Sequence, residues 1–140
     1  MVKITKREIF KLNKDLKIHN LLNDIADAFN LSYQEGITKT STDINKKPFA
    51  KLSPATIAKK GHSKPLLDKG LMKNTYLSKE ATKSSKKAII SPNARDRAIP
   101  TVIHNEGLNI VQREWFGIGK VQLKLAKGLS QDHIDKALLK

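Results

Sequence analysis

The chain has 140 residues, enough for one modest core, so a single domain is expected over 1–140. It has no cysteine, which excludes a disulfide scaffold, thiolate metal sites and a cysteine nucleophile. Its apolar runs are too short to span a bilayer, and the net charge of +14 is concentrated in residues 46–87, which hold twelve lysines against Asp68 and Glu80.

The N-terminus has no apolar h-region or small-residue cleavage site, so no secretion signal is expected, and synthesis should be cytosolic. Thr5-Lys6-Arg7-Glu8 reads as a capping box. Behind it, Ile9, Leu12 and Leu16, then Ile18, Leu22, Ile25 and Phe29, recur at helical spacing. The spacing predicts a helix over about 6–30, roughly 37 Å long at 1.5 Å per residue. His19 falls in its apolar half and reads as a hydrogen-bonded residue, not a ligand.

From residue 31 the periodicity stops and Ser/Thr-rich sequence follows, which predicts an extended basic loop over about 31–65. Within it, residues 53–61 carry a short helix: Ser53 as N-cap, Pro54 as first residue, Lys59 and Lys60 in the last turn, and Gly61 in the left-handed position. Asp68 is placed to close a turn near Gly70. Residues 75–82 and 86–91 are β-prone and predict a hairpin. Residues 99–104 read as a helical turn or a strand, and residues 111–116 as a third strand. Residues 120–127 fit either a strand or a helix; the helix is favoured because it continues into a helix over 130–139. The fold expected is α+β: a long N-terminal helix on a small antiparallel sheet, with a C-terminal helix and long basic loops.

The stretch over residues 103–119 stands out. It holds the sole tryptophan, Trp115, next to Phe116, with Gly107, Gly117 and Gly119 around them. A bulky apolar pair flanked by turn-permitting residues reads as an anchor against the core. Trp115 and Phe116 should plug the sheet against the helices, and Arg113 should meet a carboxylate, on this subunit or a neighbouring one.

No catalytic, cofactor or metal constellation is expected. His19, His62, His104 and His133 are far apart and unpaired at i, i+4. His104-Asn105-Glu106 is a poor base–carboxylate couple, because consecutive side chains point apart and no nucleophile lies nearby. No glycine-rich loop links a strand to a helix. An enzyme is therefore not expected.

Two blocks carry a family resemblance. One is Pro48-Phe49-Ala50-Lys51-Leu52-Ser53-Pro54-Ala55-Thr56 through Lys60, followed by Pro65-Leu66-Leu67-Asp68-Lys69-Gly70-Leu71. The other is Ile103-His104-Asn105-Glu106-Gly107, followed by Gln112-Arg113-Glu114-Trp115-Phe116-Gly117. In order and spacing these resemble the Mu-like phage virion morphogenesis family, the tail completion proteins of tailed phages and prophages. The family pattern runs W-x-x-L-S-x-x-T-x-x-x-K, P-L-x-D-T-G-x-L, I-H-x-x-G and P-x-R-x-F-L-G. Here Phe49 stands near the tryptophan, Lys69 replaces the threonine, Val111 replaces the proline, and Trp115-Phe116 replaces Phe-Leu. The positions that match or stand in the pattern are Leu52, Thr56, Lys60, Leu67, Asp68, Gly70, His104, Gly107, Arg113, Trp115, Phe116 and Gly117.

The resemblance implies a structural protein of the tail end or head–tail junction (neck). It would form rings, often six-fold, and join connector, tail terminator or tail tube proteins in the virion after assembly in the host cytoplasm. DNA would pass through the lumen. No cofactor or membrane is implied. The second reading is a small basic cytosolic nucleic-acid-binding protein that contacts phosphates without reading sequence. Its contacts would be Lys46, Lys47, Lys51, Lys59, Lys60, Lys64, Lys83, Lys86 and Lys87.

Overall fold

The structure, a computed structural model, describes residues 16–66, 75–92, 104–107 and 110–138. Its fold is α+β, as expected. Helix α1 (Ile18–Glu35) runs into a π-helical turn (Gly36–Thr40), followed by the short α2 (Pro54–Lys60), strands β1 (Thr75–Lys79) and β2 (Ile89–Pro92), and α3 (Lys120–Leu138). The strands form a two-stranded antiparallel hairpin, with Leu77 opposite Ile90 and an irregularity between Leu77 and Lys79.

Helix α1 is the spine: both α3 and the hairpin pack on it. The hairpin side is pinned by Asn23, whose side chain donates to the Ala81 carbonyl (3.1 Å) and accepts from the Ala81 amide (2.7 Å). The α3 side is pinned by Gln122, nearly fully buried, which donates to the Ser32 hydroxyl at 3.0 Å. Farther along α3, His133 Nε2 hydrogen-bonds the Leu16 carbonyl.

The expected loop from residue 31 is corrected. The helix continues through Glu35 and the π turn to Thr40 because Phe29, Tyr33 and Ile37 extend its apolar stripe at four-residue spacing. Polar side chains on this stretch fold back onto helix carbonyls, Ser32 onto Phe29 and Thr38 onto Gln34, both at 2.7 Å. At the other end, the described helix begins at Ile18. Thr5, Ile9 and Leu12 lie outside the described residues, as do Leu67, Asp68, Gly70 and residues 99–103.

Helix α2 forms as its caps dictate. Ser53 accepts from the Thr56 amide, Pro54 opens the helix, and Gly61 ends it at φ +79° with its N–H on the Ile57 carbonyl. Residues 120–138 are one helix, so the helical reading of 120–127 holds. The third strand over 111–116 does not form. Its backbone is captured instead by Asn105, His104 and Ile44, as described next.

Candidate functional site

The core is a small aromatic cluster where α1, residues 44–49, Leu66, β2 and residues 113–117 meet. Tyr33, Ile37, Ile44, Phe49, Leu66 and Trp115 are buried, with Phe29, Ile90 and Phe116 packed against them. Tyr33 is at its centre. Its ring lies 4.9 Å from Phe116, and 6.5 Å edge-on from both Trp115 and Phe29. Trp115 and Phe116 are themselves 5.4 Å apart. These separations fall in the range where tilted and edge-to-face rings attract. The Tyr33 hydroxyl donates to the Gly117 carbonyl at 2.6 Å.

Around the rings, three distant segments are tied by side chain to backbone. Asn105 Oδ1 accepts from the Trp115 amide at 3.1 Å and, more weakly, from the Phe116 amide at 3.4 Å, while its Nδ2 donates to the Phe116 carbonyl. The Arg113 amide donates to the His104 carbonyl at 2.8 Å. The Arg113 side chain, almost fully buried, reaches the other block: Nε donates to the Ala50 carbonyl at 3.0 Å, and Nη2 to the Lys51 carbonyl at 3.4 Å. Among the described residues of its own chain Arg113 meets two carbonyls and no carboxylate, because carbonyls freed by the irregular backbone at 50–51 lie within its reach.

A tight turn joins this knot to α3. Asp43 Oδ1 accepts from the amides of Asn45 (2.8 Å) and Lys47 (2.9 Å). The Ile44 amide donates to the Glu114 carbonyl at 3.0 Å. The turn also satisfies the first amides of α3: Asn45 Oδ1 accepts from Lys120 N (3.1 Å), and the Ile44 carbonyl from Val121 N (3.0 Å). Gln122 Oε1 reaches back to Gly119 N at 3.1 Å, half of a capping box. Gly119 is required here, since a Cβ would stand 2.4 Å from the Ile44 carbonyl oxygen. A cavity of about 300 Å³ lies beside the turn, lined in part by Tyr33, Asp43, Lys46 and Trp115.

Burial pushes the Tyr33 phenol up to about 12, so it stays a proton donor to Gly117. Burial also holds the His104 imidazole below its ordinary value, with the nearby positive charges of Arg113 and Lys60 adding to the effect. His104 Nδ1 and Trp115 Nε1 are buried without a hydrogen-bond partner among the described residues. Desolvation alone lowers the Arg113 pKa. Among the described residues every hydrogen bond of the Arg113 and Asn105 side chains ends on backbone, so these two side chains hold segments together.

Of the motif positions, His104, Gly107, Arg113, Trp115, Phe116 and Gly117 converge here. Gly107 (φ +69°) lies where a Cβ would crowd Gln112. Leu52, Thr56 and Lys60 lie on α2 and its approach, half-buried. The lysines divide by partner. Lys64 Nζ donates to the Thr38 carbonyl (3.0 Å), and Lys60 Nζ to the Lys64 carbonyl (3.1 Å). Lys46, Lys47, Lys51, Lys59, Lys83, Lys86 and Lys87 are exposed. Among the described residues no group of three acidic or histidine side chains could hold a metal, and no helix is long and apolar enough to cross a membrane.

No family model, curated protein or solved structure matches the chain. The functional reading therefore rests on the local geometry and the motif blocks. The sequence reading missed Asn105 as a backbone clamp, Gln122 as a core link and Asn23 as the hairpin anchor. Only Gln122 carried a signal, standing three residues after a glycine at a helix start.

Proposed function

We propose that this chain is a structural assembly protein of a tailed phage or prophage, completing the tail or forming the neck ring at the head–tail junction. The observation that carries the reading is the convergence of the motif blocks. Residues 50–51, 104–105 and 113–117, separated by up to 63 positions, are bonded into one buried unit. Motif residues used in this way specify a shape, which is what an assembly protein requires.

The surface favours subunit contacts. Leu31, Ile110, Val111, Ile118, Leu123 and Leu138 are large apolar residues left exposed, Ile118 at 69%. Ile110, Val111 and Ile118 flank the knot on its own segment, so a neighbouring copy docking there would read the shape the motifs fix. The partners are further copies in a ring, most simply a hexamer, then connector and tail terminator or tail tube proteins. The protein would reside in the virion neck or tail after assembly in the host cytoplasm. The test is electron microscopy of particles made without this protein. Headless tails beside filled heads are expected, and normal joined particles would refute the reading.

A further inference from the structure

The turn and helix spanning residues 42–61 present lysine side chains in a way that the fold itself does not use. Among the described residues the one ion pair is Lys39 with Glu35, at 3.4 Å. Lys46, Lys47, Lys51 and Lys59 are exposed with no carboxylate of the described residues within ion-pair distance. The sole acidic residue of the segment, Asp43, spends a carboxylate oxygen on the amides of Asn45 and Lys47. Local charge is therefore uncompensated.

These lysines also stand on fixed backbone. The turn is closed by Asp43 N on the Lys47 carbonyl (2.8 Å), Lys46 N on the Asp43 carbonyl (3.1 Å) and Phe49 N on the Ser41 carbonyl (2.9 Å). Arg113 holds the carbonyls of Ala50 and Lys51. Lys46 itself is held at φ +65°, a left-handed conformation that glycine or asparagine adopts more easily.

We infer that residues 42–61 form a docking face for the phosphate backbone of duplex nucleic acid, centred on Lys46, Lys47 and Lys51. Three features select this partner. The segment exposes no large apolar side chain, since Ile44 and Phe49 are buried and Leu52 and Ile57 half-buried, so it lacks the apolar centre of a protein–protein interface. It exposes no aromatic ring, which single-strand binding needs for base stacking. It contains no arginine, so it meets phosphate as point charges and does not read base edges.

The hairpin lysines provide a charge-matched control. Lys83, Lys86 and Lys87 follow Ala81, which is pinned to Asn23 near the start of α1, whereas Lys64 ties the α2 segment to Thr38 beyond its end. The two anchoring points are about 22 Å apart along the helix at 1.5 Å per residue. The inference does not depend on the assembly role proposed above, and either can fail alone.

The test is fluorescence anisotropy of a labelled random-sequence DNA duplex with the full chain across a salt series. Binding should weaken steeply with salt, with the logarithmic slope losing about 0.9 for each phosphate contact removed. The triple variant Lys46→Gln, Lys47→Gln, Lys51→Gln should lose about two to three from that slope and bind more than about tenfold more weakly at moderate salt. The variant Lys83→Gln, Lys86→Gln, Lys87→Gln removes the same charge and should change the slope by less than about one. Lys46→Gly guards against misfolding: it should weaken binding while the melting temperature holds or rises. Equal losses in the two triple variants would mean net charge alone and overturn the assignment. So would absence of duplex binding at low salt, preference for a single strand, or equal affinity for polyglutamate.

Discussion

Truncating Trp115 to alanine tests the aromatic knot most sharply. The ring is 2% exposed and touches Tyr33 and Phe116 at 6.5 and 5.4 Å. Its removal leaves a cavity that the side chain to backbone bonds of Asn105 and Arg113 prevent from collapsing, so the cost should be about 3–5 kcal/mol. The indole N–H has no partner among the described residues, so the penalty is one of packing. Trp115→Phe keeps a ring and removes the unpaired donor, and should cost only about 1–2 kcal/mol. A chain of this length has about 7–20 kcal/mol of stability in total, so both variants should still fold. The melting temperature of the alanine variant should fall by about 10–15 °C. Because Trp115 is the sole tryptophan, its fluorescence cannot follow the variants, and far-UV circular dichroism in urea is the assay. A loss below about 1 kcal/mol, or equal losses for phenylalanine and alanine, would show that the cluster does not organise the core.

Three further outcomes follow from the same geometry. Gly119→Ala drives a Cβ into the Ile44 backbone and should cost about 2–3 kcal/mol, whereas Gly128→Ala, in open space within α3, should gain about 0.5–1 kcal/mol; denaturant melts of the pair should move in opposite directions. The lowered His104 pKa means that the unfolded chain takes up a proton first as pH falls below about 6.5, so stability should drop below that pH. His104→Gln should flatten this limb in melts across pH 5–7, and an unchanged limb would remove His104 as its source. Tyr33 works in the opposite sense: the unfolded phenol ionises near 10 and the folded one at about 12, so up to about 2–3 kcal/mol should be lost between those values, and Tyr33→Phe should abolish that loss.

What the sequence made legible was short-range. Ser53, Pro54 and Gly61 define α2 because each signal acts within one turn, and all three behave as written. Trp115 and Phe116 marked the core because an aromatic pair is conspicuous in a chain with seven aromatic residues. The helix end was misread because Ser32, Thr38 and Thr40 look like loop, yet their hydroxyls bond helix carbonyls while Tyr33 and Ile37 carry the stripe onward. The absent third strand has the same origin as the carbonyl contacts of Arg113. Both depend on which distant backbone groups come within reach, Asn105 for residues 115–116 and the carbonyls of residues 50–51 for the guanidinium, and no local pattern encodes that. The lysines were visible from composition, but their division into bonded and uncompensated groups required the turn at Asp43.

The proposed role requires this fold to be repeated around a ring. Native mass spectrometry of the full chain, alone and then mixed with connector and tail proteins, tests it directly. A single closed homo-oligomer, most simply a hexamer, that Ile118→Lys converts to folded monomer is the predicted result. A monomer under every one of those conditions would contradict it.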